Sequence, residues 1–300
     1  MNILPKSKQI EIIAAITEGL GTRAAARLTG ANRETVGKLA LQIGMGCAEL
    51  HDRIMNGIRV NRIELDELWS FVGKKQARTG RHEFAKGDQY VFIAMAGTQK
   101  AIISYRVGKR HGETTDLFVQ DLRQRVIGLP EISSDGWLPY QPAIRDAFGP
   151  RVAHGIVSKT YSVVHLNVKE ASRRYSPAAV IAVERDVVSG VPSEISTSYA
   201  ERGNLSLRMA CRRFTRLTNA FSKKLENHAA AVALYVAHYN FCRVHETLET
   251  TPAIALGITD HVWSIGELID AALAAVPPKP TPTAPDRRRQ FQVVQGGKST

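Results

Sequence analysis

Apolar residues follow a helical period through roughly the first fifty positions and a strand-like one after that. Ile10, Ile12, Ile13 and Ile16 mark one face of a first helix, and the turn Gly19-Leu20-Gly21 ends it. Thr22 suits the N-cap of a second helix over Arg23 to Leu28. After the break at Gly30-Ala31, Asn32 suits the cap of a third. In that third helix Val36, Leu39, Ala40 and Ile43 turn inward, while Arg33, Glu34, Thr35 and Lys38 stay outside. Three short helices within residues 5–47 have the layout of a helix-turn-helix, although a bare three-helix bundle shows the same pattern.

The next block is β-branched and aromatic at strand lengths. The runs 58–72, 90–96 and 101–107 predict three antiparallel strands, with Gly97-Thr98-Gln99-Lys100 turning the last two. A helix over about 114–126, with Leu117, Phe118, Leu122 and Val126 on one side, leads to a strand near 131–134. A helix near 139–148 and a strand near 152–157 follow. This order predicts an α/β fold with a mixed sheet. Residues 158–200 interrupt it with a further strand-like run at 180–188. From Glu201 an apolar repeat at Leu205, Met209, Phe214, Leu217, Phe221, Leu225, Val232 and Tyr239 predicts one long helix ending near Arg243-Val244-His245. Residues 251–276 read as one or two packing helices. Residues 277–300, with five of the 13 prolines and Arg287-Arg288-Arg289, read as a disordered basic tail.

Composition narrows what such a chain can do. Of 300 residues, 44% are apolar and 23% charged, ordinary values for a folded globular protein. Forty Lys and Arg against 28 Asp and Glu leave a formal charge of +12, which points to a polyanionic partner, nucleic acid ahead of a membrane. No uninterrupted apolar stretch of membrane-spanning length occurs, so a cytoplasmic setting is expected and no membrane partner. The three cysteines, Cys47, Cys211 and Cys242, form no C-x-x-C pair and read as small buried hydrophobes. Against this charge, the first turn of the third helix, with Asn32, Arg33, Thr35 and Lys38, is a candidate major-groove reader. Between Arg202 and Lys224 there are seven basic side chains and no acidic one, so Arg208, Arg212, Arg213 and Arg216 are candidate phosphate contacts.

Acidic residues inside apolar strands need a reason, because a carboxylate out of water is unfavourable unless it is paired or holds a metal. Asp66, within Ile63-Glu64-Leu65-Asp66-Glu67-Leu68-Trp69, lies on the face opposite Ile63, Leu65 and Trp69. Glu64 shares that face, and alternation does not choose between them. Asp135 lies where a short strand gives way to Gly136-Trp137, and Glu201 opens the long basic helix. Each also has a plain structural role to play: an edge acid, a turn residue and a helix-dipole partner. Together, three carboxylates can hold two Mg²⁺ or Mn²⁺ ions about 4 Å apart, which suits in-line phosphoryl displacement. No G-x-x-x-x-G-K-[ST] phosphate loop is present, so nucleotide-driven chemistry is not expected.

Three segments resemble a known family. They are Glu64-Leu65-Asp66-Glu67-Leu68-Trp69-Ser70-Phe71-Val72-Gly73-Lys74-Lys75, Ser134-Asp135-Gly136-Trp137, and Tyr199-Ala200-Glu201-Arg202-Gly203-Asn204-Leu205-Ser206-Leu207-Arg208. They are similar to the DDE transposases of bacterial insertion sequences, of the insertion-sequence-one type, over roughly residues 10–250. The resemblance implies a ribonuclease-H-like catalytic domain with Asp66, Asp135 and Glu201 as the metal-binding acids, and so selects Asp66 over Glu64. It also implies that Arg208 and His245 lie along or just after the catalytic helix, with His245 in a supporting role. Two departures stand out: the cysteines of an N-terminal zinc finger are absent, and the second and third acids are 201 − 135 = 66 residues apart, leaving an inserted segment at about 158–198.

The resulting expectation has a helix-turn-helix domain at 1–57 and a catalytic domain at 58–250, followed by C-terminal helices and the tail. The expected activity is transposition: binding the terminal inverted repeats of double-stranded DNA, freeing 3′-OH ends and joining them to target DNA. A homo-oligomer on DNA in a bacterial, nucleoid-associated setting goes with it. The alternatives are a DNA-binding regulator with an inert transposase-like domain and a nuclease of the same fold.

Overall fold

The structure is a computed structural model, and it describes residues 4–162, 180–215 and 218–276. The predicted basic tail at 277–300, most of the connection inside the expected insertion (163–179) and Arg216 lie outside the described residues. Six strands form one sheet: β1 (Arg62–Val72), β2 (Gly87–Ala96), β3 (Ala101–Gly108), β4 (Glu131–Asp135), β5 (His154–Tyr161) and β6 (Val180–Ser189). Their order is β3-β2-β1-β4-β5-β6. The first three strands pair antiparallel, β4 is parallel to both β1 and β5, and β6 closes the far edge antiparallel to β5. This is the mixed α/β class read from the sequence, and it is compatible with a ribonuclease-H-like domain.

Both faces of the sheet are covered. The crossover helices α4 (Gly112–Arg125) and α5 (Tyr140–Phe148) lie on one face, where Phe118, Leu122 and Ile144 pack with Ile63, Leu65 and Phe92. On the other face α6 (Ser198–Ala210) and α7 (Leu225–Phe241) bury Leu207, Val236 and Tyr239 against Leu68, Ile93 and Ile102. Each buried Leu, Ile or Phe contributes about 1.5–3 kcal/mol, so these two clusters hold the sheet flat against its helices.

Four expectations change. The long helix from Glu201 is broken: α6 stops at Ala210, Arg212–Phe214 form a 3₁₀ turn, and α7 begins only at Leu225. The intervening chain leaves the helix to meet the end of β1, where Gly73 N donates to Ser222 O at 2.8 Å, while Phe214 is buried beside the His228 ring. The third N-terminal helix is not short. After α1 (Lys6–Thr17) and α2 (Thr22–Thr29), α3 runs from Arg33 to Ile54. Gly44 and Gly46 do not stop it, because they are crossing points: a Cβ there would stand 2.2 Å from the carbonyl oxygens of Ala230 in α7 and Ala272 in α9 (Ile265–Ala275). Finally, Gly21 rather than Thr22 precedes α2, and the first strand begins at Arg62, with Ile58 making only an isolated bridge to Val126.

Other readings hold. Asn32 caps α3, its side chain accepting from Glu34 N at 2.8 Å. The strand-like run at 180–188 is β6, and α8 (Pro252–Ala255) and α9 are the C-terminal helices. The reading of the cysteines as buried holds for one of them: all three are free, with Cys47 buried and Cys211 and Cys242 half-buried. Among the described residues no helix is long and apolar enough to cross a membrane.

Candidate functional site

The parallel pairing of β1 and β4 sets the site. Arg62 lies beside Glu131 and Glu64 beside Ser133, a constant offset of 131 − 62 = 69 residues. The pairing ends there, and two residues further along each strand Asp66 and Asp135 stand with carboxylate oxygens within 4.8 Å of each other. β4 ends at Asp135, so β1 has an open flank there and the neighbouring Glu67 can also turn towards it. One carboxylate oxygen each from Asp66, Glu67 and Asp135 lies within 4.8 Å of the others.

Each acid is held. Asp66 Oδ2 accepts from Asn204 Nδ2 at 2.7 Å and Oδ1 from Glu67 N at 2.9 Å. Burial pushes Asp66 up to about 6 despite those two donors, with the Asp135 and Glu201 carboxylates adding to the rise. Asp135 Oδ1 accepts from Trp137 N at 3.0 Å, and burial raises this carboxyl too. Glu67 has a side chain only 3% exposed, and burial followed by the Asp135 charge pushes it up to about 8. Its Oε1 and Tyr140 Oη are both buried with no hydrogen-bond partner within 3.5 Å, but the Tyr140 hydroxyl is near enough to act on this carboxyl and partly lower it.

Two cations face these acids. Arg110 Nη2 sits 3.4 Å from Glu67 Oε2 and 3.5 Å from Asp135 Oδ2, its guanidinium stacked 4.1 Å from the Trp137 ring centroid. Lys159 on β5 pairs with Glu201 Oε1, which also accepts from Thr197 Oγ1 at 2.6 Å. Asp66, Asp135 and Glu201 all line one cleft of about 510 Å³, with Arg110, Trp137, Lys159 and Thr197 around them. Glu201 therefore shares the cleft with the other two predicted acids but stands outside the tight trio. Glu64 anchors a helix instead. Its Oε2 accepts from the backbone N–H groups of Tyr199 (2.6 Å) and Ala200 (3.0 Å), holding the first turn of α6 against β1.

The donor set suits a hard divalent cation. It is all oxygen, its three carboxylates are at most half exposed with burial raising each of them, and no thiol or imidazole stands in it.

The other predicted residues are spread more widely. Arg33 and Lys38 are exposed on the first turns of α3, Thr35 is half-buried, and the Asn32 carbonyl is spent on its cap. Arg208 is half-buried in the last turn of α6. Arg212 is exposed in the 3₁₀ turn, while Arg213 is half-buried with Nη1 donating to Ser222 Oγ at 3.2 Å. His245 sits after α7, its ring edge-on to Tyr239 at 4.5 Å, and it does not line the acidic cleft. Sequence reasoning missed Glu67, Arg110, Lys159 and Asn204. Asn204 carried a signal, since three residues after Glu201 is the same helix face.

No family model matches the sequence, and no curated protein matches it. Among solved structures, the chain is similar to a piggyBac transposase synaptic complex with hairpin DNA, at 12% identity and a TM-score of 0.37, over 90% of this chain and 70% of that one. It is also similar to the Mos1 transposase paired-end complex with the left transposon end, at 13% identity and a TM-score of 0.20, over 49% of this chain and 57% of that one.

Proposed function

We propose that the chain is a transposase of the DDE kind, which cuts DNA strands at the ends of an insertion element and joins them to target DNA. Asp66, Asp135 and Glu201 are the acids that hold two Mg²⁺ or Mn²⁺ ions. The observation that carries this reading is that Asp66 and Asp135, two residues beyond the last β1–β4 pair, bring carboxylate oxygens within 4.8 Å in the cleft that the first turn of α6 also lines with Glu201. Two bound ions would activate the attacking oxygen and stabilise the leaving oxygen of an in-line displacement.

The protein's own groups prepare that event. Asn204 and the Glu67 amide fix the rotamer of Asp66, and the Trp137 amide fixes Asp135. Arg110 faces Glu67 and Asp135 and Lys159 pairs with Glu201 in the present arrangement, and both can turn to phosphate oxygens once the carboxylates engage a cation. For Glu201 this means exchanging its ion pair with Lys159. Arg33, Thr35 and Lys38 on α3 serve to read the terminal repeat in a helix-turn-helix manner. Arg208, Arg212, Arg213 and Arg216 serve to contact phosphates, and His245 to support the helix end. Two element ends must be handled together, so the active form is a homo-oligomer on DNA.

The test is a strand-transfer assay with one labelled element end, taken from inverted repeats flanking the gene, plus target DNA and Mg²⁺ or Mn²⁺. Joined product supports the proposal. Cleavage without joining identifies a nuclease, and repeat-specific binding with no metal-dependent cleavage identifies a regulator.

A further inference from the structure

A larger cleft, about 680 Å³, lies at the other end of α6. Its walls come from α1, α2, α3, α7 and residues 210–213 and 218–223, and its lining includes Arg23, Arg27, Arg212, Arg213 and Lys223. No acidic side chain lines it among the described residues. Five cations sharing one concavity repel each other and gain from an anion placed between them. Arg213 is the most committed of them: half-buried, it has a serine hydroxyl and no carboxylate as its partner among the described residues. Tyr235 also lines the cleft, and its Oη is buried with no hydrogen-bond partner, a donor with nothing to donate to. Between these polar groups the lining is apolar, from Leu20, Leu41, Leu234 and the Phe221 ring, which packs on Phe71 at 4.5 Å and has Lys223 Nζ 3.5 Å from its centroid, so that a base entering here would displace the lysine from that ring.

An apolar, partly aromatic lining among cations fits a planar ring attached to a phosphate. We propose that this cleft binds a nucleoside phosphate, supplied as an unpaired nucleotide of a DNA strand, with the base on the apolar lining and the phosphate among the arginines. The assignment rests on the chain acting on DNA, and is independent of the metal chemistry. Its place in the fold agrees. The cleft reaches Ala210, nine residues after Glu201 on α6, which is about 14 Å along the helix, or about four base-pair steps of duplex. The turn between α1 and α2 sits directly on that helix end: a Cβ on Gly19, at φ +85°, would lie 3.0 Å from Met209 O. An unpaired nucleotide in this cleft would thus bridge the N-terminal helices and the helix that carries Glu201.

Fluorescence anisotropy of the full chain in EDTA tests this, comparing a blunt duplex with the same duplex carrying a four-nucleotide single-stranded extension. The parent should prefer the extended duplex by about tenfold, the effect of one well-stacked base. Arg23→Gln with Arg27→Gln should bring the preference to within about twofold, and Tyr235→Phe, which removes one hydroxyl, should lower it about threefold. Unchanged urea midpoints would show that the variants fold. Added dAMP separates the sources: loss of the preference at micromolar dAMP would mean a free nucleotide occupies the cleft and overturn the strand assignment, whereas insensitivity at millimolar dAMP supports it. Equal affinity of the parent for both duplexes, or equal losses for both duplexes in the variants, would also overturn it. Strand cleavage with the preference absent would remove this cleft assignment and leave the transposase proposal standing, and a preference without cleavage would do the reverse.

Discussion

Replacing Glu64 separates the anchoring of α6 from the chemistry of the cleft. Its carboxylate receives two backbone N–H groups at 2.6 and 3.0 Å, and hydrogen bonds to a charged acceptor contribute about 1.5–3 kcal/mol each. Part of that gain is offset, because burial raises the Glu64 pKa and so opposes its charge. Glu64→Ala leaves both amides without an acceptor and should destabilise the fold by about 2–4 kcal/mol. Glu64→Gln keeps a carbonyl acceptor and loses only the charge, so it should cost about 1–2 kcal/mol. Urea unfolding checks this as a shift in midpoint at constant slope, about 1 M for alanine if the slope is about 3 kcal/mol per M. Amide hydrogen exchange adds a local readout: Tyr199 and Ala200 should lose protection in the alanine variant and largely keep it in the glutamine variant. Because Glu64 touches no predicted metal ligand in this arrangement, Glu64→Gln should also keep most metal-dependent cleavage. An alanine variant with the parent's midpoint and unchanged exchange at both amides would refute the anchoring role. A glutamine variant dead in cleavage while Asp66→Asn stays active would move the first acid to Glu64.

Asp66→Asn and Glu201→Gln should each abolish Mg²⁺-dependent cutting and joining with repeat binding nearly intact, whereas Glu184→Gln, Asp186→Asn and Glu194→Gln should keep most activity; gel assays of cleavage and binding read both. Arg33→Ala should weaken repeat-specific binding by about 1–3 kcal/mol and binding to random DNA far less, and equal losses would count against groove reading. His228, fully buried with its ring nitrogens 2.9 Å from Ser222 Oγ and 3.0 Å from Ser70 Oγ, is held down at about 4 by burial and then by the Arg213 charge. Below its ordinary value of about 6.5 the unfolded chain takes up the proton first, so this residue's contribution is complete above that pH. It is lost by about 1.4 kcal/mol per pH unit on the way down to the folded value. His228→Gln should flatten the fall of stability between pH 6 and 4.5 by that slope, and parallel curves for parent and variant would disprove it.

The sheet was legible because its strands carry their own signals: β-branched runs of the right length, a four-residue turn at 97–100, and helices spaced as crossovers. Asp66 was legible as an acid in an apolar strand, and Asp135 as an acid at a strand's end. Glu67 was not, because strict alternation places it with Ile63 and Leu65, facing the core. Only the end of β4 at Asp135 frees the flank towards which its longer side chain turns. The broken helix was hidden for the opposite reason. Its apolar period continues through Phe214 and Phe221, but those residues are satisfied by tertiary partners, Phe214 against His228 and Phe221 against Phe71 at 4.5 Å. Periodicity reports that residues are buried, and cannot say whether one helix buries them. Likewise Gly44 and Gly46 look like breakers until α7 and α9 are known to cross there.

Two groups of acids lie near helix and strand ends in this fold, and their contrast bears on function. Arg125 bonds Asp121 at 2.7 Å and pairs with Asp52, and Ser104 Oγ donates to Asp121 at 2.6 Å. Desolvation alone would raise Asp121, but Arg125 and Ser104 outweigh it and hold that carboxyl below its ordinary range, so the group is a satisfied tie between α3 and α4. Around Asp66 the sign is reversed. Asp66, Glu67 and Asp135 are all raised, first by burial and then by neighbouring carboxylates, Asp135 acting on Asp66 and Glu67 and Glu201 acting on Asp66 and Asp135, and Arg110 touches two of them only at 3.4 and 3.5 Å. A protein with a net charge of +12 has cations to spare, yet it leaves these acids under-compensated, with only the Tyr140 hydroxyl beside the buried Glu67 Oε1. Such an arrangement lowers the stability of the chain alone, and a cation brought from solution would reverse that penalty. Metal binding should therefore stabilise the fold as well as enable chemistry. Mg²⁺ or Mn²⁺ should raise the melting temperature of the parent by the mass-action term and that of Asp66→Asn much less, and equal shifts in the two would mean that the acids do not form the ion's site.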